Sequence, residues 1–300
     1  MKILTCLYED REQLGVEVEG HVVLPALDSS GSALPADLLG IINAGDDGVA
    51  ALRRFIETAG RACRVPVTEV EFLAPIPRPP ANVMCLGWNY AEHIEESAGA
   101  KVHDSKLPDH PVVFTKAAGS VTGPYDDIPF DTTFSSEMDW EVELGVVIGK
   151  PGRRIAARDA MHHIFGYTVI NDISIRDVQF RHQQFFLGKS ADGACPMGPY
   201  IVTADEIVNP QELDLSCRVN GETKQFSNTR YMIFDIANTI AILSKGMTLR
   251  AGDIIATGTP SGVGFARKPP EFLKPGDVVE CEVEGVGLIR NHITERDHPV

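Results

Sequence analysis

The run Trp140-Glu-Val-Glu-Leu-Gly-Val-Val-Ile148 limits the possible fold more than any other stretch of the 300-residue chain. Apolar and acidic residues alternate in it with a period of two, the period of a strand and not of a helix. Val142, Leu144, Val146 and Ile148 then share one face, and Glu141 and Glu143 share the other as near neighbours. Two like charges side by side in an apolar strand repel and resist leaving water. Taken alone, the pair reads as a solvated face, because half-exposed strands commonly alternate this way. Asp172 shifts the balance. It follows the apolar residues 165–170, with Arg176 and Asp177 a turn later. A lone Asp at a strand end usually serves as a turn residue or helix cap. As a third carboxylate with no Cys or His beside it, Asp172 would complete an all-oxygen site. Such a site suits Mg²⁺, Mn²⁺ or Ca²⁺ and disfavours zinc.

The rest of the chain predicts many short strands and two or three helices, a β-rich α+β fold. Strands are expected over 1–8, 14–18, 21–27, 82–86, 112–115, 139–149, 164–170, 253–257 and 278–283. Residues 216–219 lead into Asn220-Gly221, a hairpin signal. Helices are expected from an Asp46 cap to a stop at Gly60, over one or two turns at 90–97, and over 232–243, where Ile233, Ile236, Ile240 and Leu243 share a face. Four prolines within 74–80 can form neither helix nor central strand. They divide the chain into a small N-terminal domain (1–73), a linker (74–80) and a chemistry-bearing domain (81–300).

The net charge of −15 argues against nucleic acid and anionic membranes as partners. No stretch approaches the roughly 20 apolar residues of a membrane helix, and acids interrupt the N-terminus where a signal peptide would stay apolar. Six scattered cysteines with no C-x-x-C pair point to reduced thiols in the cytoplasm. Gly188-Lys-Ser190 lacks the frame of a phosphate loop, since position 183 is Gln. No Gly-x-Ser-x-Gly elbow supports a serine hydrolase.

Six motifs in order resemble the fumarylacetoacetate hydrolase superfamily, and its shorter bacterial-type members in particular. They are Gly87-Trp-Asn-Tyr-Ala-Glu-His93-Ile-Glu-Glu96, Asp139-Trp-Glu-Val-Glu-Leu-Gly145, Asn171-Asp-Ile-Ser-Ile-Arg-Asp-Val-Gln179, Leu187-Gly-Lys-Ser190, Pro196-Met-Gly-Pro199 and Thr257-Gly-Thr-Pro-Ser-Gly-Val263. The resemblance implies a mixed β-roll catalytic domain behind a smaller N-terminal domain, usually in a homodimer. It implies Mg²⁺ or Mn²⁺ on Glu141, Glu143 and Asp172, a catalytic His93–Glu96 pair and a substrate-facing Lys189. Arg176, Gln179 and Thr259 fall on positions that commonly line the pocket, and 97–110 falls on a mobile lid. His93 and Glu96 stand three apart, so on a helical turn they share a face. Ser261 divides equally between a tight turn and substrate contact. His162, His163 and His182 are given no role.

The expected substrate is a small anionic keto acid. The first expectation is hydrolysis of a C–C bond in an acylpyruvate-like or other 2,4-diketo acid, with His93 deprotonating water. A decarboxylase or an enol–keto isomerase or tautomerase could use the same residues. A non-catalytic binding protein ranks below both.

Overall fold

In a computed structural model of the chain, residues 1–29, 31, 33–100 and 106–296 are described. One twelve-stranded mixed sheet runs through most of the molecule. Its main path is Arg64–Pro66, His21–Val23, Arg11–Val18, Lys2–Tyr8, Cys195–Thr203, Ile164–Asn171, Val142–Ile148, Ile254–Ala256, Val83–Gly87 and Val112–Lys116. A second, five-stranded sheet orders Glu222–Asn228, Asp214–Val219, Val278–Val283, Gly287–Glu295 and Ile128–Phe130. Asn220-Gly221 makes the hairpin turn in that sheet, as its sequence predicts.

The Val142–Ile148 strand lies between the antiparallel strands Ile164–Asn171 and Ile254–Ala256. The predicted alternation holds, but water covers neither face, because all seven residues are buried. Val142, Leu144, Val146 and Ile148 enter the main apolar core, with Trp140, Leu215 and Ile240. Val147 enters a second core on the other face, built with Ile3, Leu14 and Leu52 of the N-terminal segment. That segment also joins the sheet directly, through Lys2 opposite Val202 and Ile3 opposite Ile201.

Several elements differ from the sequence expectation. The 139–149 strand is split: Met138–Asp139 pairs separately with Ser174–Ile175, and the central strand begins at Val142. Asp235 caps the Ile236–Gly246 helix by accepting Asn238 N–H at 2.7 Å, so the helix begins four residues late. Leu38–Asn43 is a helix that the sequence reading missed. Among the described residues there are six α-helices in place of the two or three expected. Two short ones, Arg176–Arg181 and Phe186–Lys189, carry site residues. Gly188 lets these two meet, since a Cβ there would lie 2.5 Å from Gln179 N.

Candidate metal centre and acid–base pair

Strand register assembles the carboxylates. Glu143 stands opposite Ile170 and Val142 opposite Asn171. One step beyond, Asp172 N–H donates to the Glu141 carbonyl at 2.9 Å. Glu141, Glu143 and Asp172 thereby each offer an oxygen within 4.8 Å of the others.

Among the described residues, three buried cations surround the cluster. Lys189 Nζ donates to Glu141 Oε2 and Asp172 Oδ2, both at 2.8 Å. Lys116 Nζ donates to Asp172 Oδ1 at 2.6 Å and to the Ile173 carbonyl at 2.9 Å. Arg176 Nη2 pairs with Glu141 Oε1 at 2.7 Å, and its Nε with Asp139 Oδ2 at 2.8 Å. Ser190 Oγ accepts Ala117 N–H, tying the residues next to Lys189 and Lys116 together. Burial alone would raise the Glu141 pKa, but Lys189, Arg176 and His93 outweigh it and hold the carboxyl well below its ordinary range. Burial would lower the Lys189 pKa, but Asp172 and Glu141 reverse this and raise it.

A divalent cation fits this site on two observations. Among the described residues, and with Asp139 included, four buried carboxyls face three buried cations, one positive charge short when all four are ionised. The shortfall falls on Glu143. Its Oε2 accepts Gly258 N–H at 2.7 Å, whereas Oε1 is buried with no hydrogen-bond partner among the described residues. Burial, and then the charges of Asp172 and Glu141, push the Glu143 carboxyl well above its ordinary range. A hard cation held by Glu141, Glu143 and Asp172 would remove that penalty.

His93 and Glu96 sit on the helix Ala91–Gly99, three residues apart and in contact: Nδ1 lies 2.7 Å from Glu96 Oε1. The other Glu96 oxygen accepts Gly262 N–H at 2.9 Å. Both oxygens act as acceptors, so His93 Nδ1 carries a proton toward Glu96, and Nε2 is the nitrogen that holds the lone pair in the neutral ring. The predicted 97–110 lid includes residues 101–105, which lie outside the described residues.

His93 of the pair and Glu141 of the cluster open into one cleft, with no more than 350 Å³ of unfilled space. His93, Glu141, Arg176, Gln179, Lys189 and Thr259 line it, whereas Glu143 and Asp172 do not. Five aromatic residues, Trp88, Phe114, Phe180, Phe185 and Phe265, form most of the remaining wall, with Leu86 and Gly87. The Arg176 guanidinium lies 4.5 Å from the Phe265 ring centre, and Lys189 Nζ lies 5.0 Å from that of Phe114. Gln179 lines the cleft, and its Oε1 accepts from Arg176 Nη1 at 2.9 Å. Thr259 faces the cleft too, but its hydroxyl proton goes to the Val142 carbonyl and its oxygen accepts from Gln225. Ser261 is not part of the cleft lining; its hydroxyl donates to Glu92 at 3.2 Å.

Four structural partners escaped the sequence reading: Lys116, Asp139, Gln225 and Asn89. Asn89 ties three segments together through bonds to Phe234 and to the Thr257 carbonyl. A charged residue closing the apolar run at 112–115 was the one sequence signal for Lys116.

Residues 82–294 match the family described as Fumarylacetoacetate (FAA) hydrolase C-terminal. Oxaloacetate tautomerase YisK of Bacillus subtilis is 45% identical over 266 residues, 87% of either chain. The fumarylacetoacetate hydrolase of Exiguobacterium antarcticum superposes with a TM-score of 0.83 at 39% identity, over 99% of this chain and 100% of that one. Maleylpyruvate hydrolase of Sphingobium sp. SYK-6, solved with manganese(II) and pyruvate, gives a TM-score of 0.79 at 28% identity, over 99% and 100%. By its sequence motifs, its fold and these matches, the chain is a member of the fumarylacetoacetate hydrolase family.

Proposed function

We propose that this enzyme interconverts the enol and keto forms of oxaloacetate or a close C4 relative, with Mg²⁺ or Mn²⁺ bound by Glu141, Glu143 and Asp172. The observation that carries the reading is the 45% identity to an oxaloacetate tautomerase across 87% of both chains. Tautomerisation was the second expectation from the sequence, and this similarity supports it better than C–C hydrolysis.

The chemistry asks for one reversible proton transfer. The proton that leaves C3 of the keto acid and the proton that joins the C2 oxygen can be carried by one imidazole. His93 suits that role, because Glu96 fixes Nδ1–H and leaves Nε2 free to accept the carbon acid's proton. The same Nε2–H then returns a proton to oxygen, so atoms balance without water. A bound divalent cation supplies Lewis-acid polarisation of the keto group. Lys189 and Arg176 attract the substrate's carboxylates, and Gln179 N–H groups orient them. The aromatic wall limits water at the reacting carbon.

Hydrolysis of a diketo acid is the second reading. Support comes from the likeness to maleylpyruvate hydrolase and from a pair equally able to deprotonate water. A location in the cytoplasm agrees with six free, buried cysteines, and among the described residues no helix is long and apolar enough to cross a membrane. A homodimer remains part of the proposal.

The deciding experiment assays metal-stripped protein, with and without Mg²⁺ or Mn²⁺, on oxaloacetate enol and on acylpyruvates, with products identified by mass. Metal-dependent loss of the enol's ultraviolet absorbance without a change of mass supports the tautomerase. Cleavage of an acylpyruvate into two acids, with no effect on the enol, would replace it by the hydrolase. Release of carbon dioxide would replace it by a decarboxylase.

A further inference from the structure

The loop 258–265 touches both halves of the site. Toward the carboxylate cluster, Gly258 N–H donates to Glu143, and Thr259 Oγ1 donates to the Val142 carbonyl. Gly264 N–H and Phe265 N–H reach the two oxygens of Asp139 at 2.7 and 3.0 Å. Toward the helix Ala91–Gly99, Gly262 N–H donates to Glu96 and Ser261 to Glu92.

One residue in this loop is held through both of its peptide groups. The Trp140 indole Nε1–H donates to the Gly262 carbonyl at 3.1 Å, while Gly262 N–H holds Glu96 Oε2 at 2.9 Å. Glu96 Oε1 in turn holds His93 Nδ1. Gly262 has φ +103°, and a Cβ there would fall 2.1 Å from the Lys224 carbonyl oxygen. Only glycine gives the chain both the conformation and the approach. Trp140 is fully buried and immediately precedes Glu141. The residue next to a carboxylate of the cluster therefore also fixes the far end of the histidine's hydrogen-bond chain.

We propose that Trp140 is a positioning residue for the His93–Glu96 pair, acting through the Gly262 residue that joins its indole N–H to the Glu96 carboxylate. The consequence for catalysis rests on His93 being the proton carrier proposed above. The consequence for the imidazole's tautomer does not. Without the indole donor, Gly262 turns more freely, Glu96 loses its fixed angle, and His93 samples the Nε2–H form that cannot accept a proton at Nε2.

The test is Trp140→Phe in the full chain, which keeps an aromatic ring and removes the donor. Three quantities are read: the ¹⁵N shifts of the His93 ring in histidine-labelled protein, kcat and KM on oxaloacetate enol, and the Mn²⁺ dissociation constant. The His93 signals are assigned by their loss in His93→Asn. The expected result is a shift of His93 toward mixed tautomers, a fall in kcat of about tenfold, the size of one hydrogen bond's orientation, and KM and Mn²⁺ affinity within about twofold of the parent. In Glu96→Gln protein the same substitution should produce no further loss of kcat, because both changes cut one chain. Unaltered His93 shifts overturn the proposal. So does a fall in Mn²⁺ affinity that matches the fall in kcat, which would mean general loosening. If Trp140→Phe fails to fold, a benzothienylalanine at position 140, nearly isosteric but with no donor, gives the same readouts. Full activity in His93→Asn would remove the proton-carrier reading alone, and the ¹⁵N shifts would still decide the role of Trp140.

Discussion

The carboxylate cluster and the His93–Glu96 pair share a cleft but are built on different principles. The cluster stands at the adjoining ends of two central strands of the large sheet, Glu143 within one and Glu141 and Asp172 one residue outside, with Glu143 and Asp172 wholly buried. Ladder hydrogen bonds fix its register, and a one-residue slip would turn every side chain to the other face. The pair stands on a nine-residue helix, and the Glu96 side chain keeps 20% exposure. Loop contacts, and no strand register, set its position. A cation needs converging charges at fixed distance, which a sheet provides, whereas a proton carrier needs access to substrate, which a helix at the cleft wall provides. Changes in the cluster should therefore act on metal binding and stability together, and changes in the pair on turnover alone.

The largest effect should come from Glu143→Gln. It removes one of three carboxylates without altering shape, so Mn²⁺ affinity should fall at least ~100-fold and activity with it. The metal-free variant should nevertheless be more stable than the parent, by ~1–3 kcal/mol, because a buried carboxylate oxygen without a partner is gone. Added Mn²⁺ should raise the parent's melting temperature and leave the variant's unchanged. Calorimetry and thermal melts check both. A less stable metal-free variant would mean that Glu143 is structural and break the comparison. His93→Asn comes next: kcat should fall ~10²–10⁴-fold with Mn²⁺ affinity unchanged, measured by turnover and titration on one preparation. A parallel loss of metal affinity would merge the two halves into one unit.

Legibility in the sequence follows the same division. The alternation at 140–148 is a local pattern, so the strand, its two acidic neighbours and the opposing apolar face could be read directly. The i,i+3 spacing of His93 and Glu96 is local as well, and the structure closes it at 2.7 Å. The neutralising shell is non-local. Lys116 ends an apolar run, where a lysine could equally have reached solvent; the Ile173 carbonyl and Asp172 that bury it lie 57 and 56 residues away. Gln225 stands in Glu222–Asn228, a strand with no chemical mark, yet it braces Thr259 and accepts from Val142 N–H. The wet-face reading of the Glu141–Glu143 pair taken alone failed for the same reason: the groups that cover it, Arg176, Lys189 and Gly258, come from distant segments.

Lys116→Met sharpens the comparison from the cluster's side. Removing one partner of a buried ion pair leaves Asp172 short of positive charge, and should destabilise the metal-free protein by about 3 kcal/mol. Because a divalent cation supplies charge at the same carboxylate, saturating Mn²⁺ should recover more stability in this variant than in the parent. Equal gains from Mn²⁺ in the two proteins, in paired thermal melts, would mean that Lys116 neutralises a charge the metal does not reach.

The smallest effect belongs to Ser261→Ala, which tests how the pair is held. The Ser261–Glu92 bond is 3.2 Å long and exposed, so its loss should cost well under ~1 kcal/mol. The loop keeps its attachments through Gly262, Gly264 and Phe265, each to a more buried partner. The melting temperature should move by no more than about a degree, kcat by less than about twofold, and Mn²⁺ affinity not at all. A tenfold fall in kcat would reverse the ranking. The helix Ala91–Gly99 would then be latched at its exposed edge, and the buried contacts below would follow that latch.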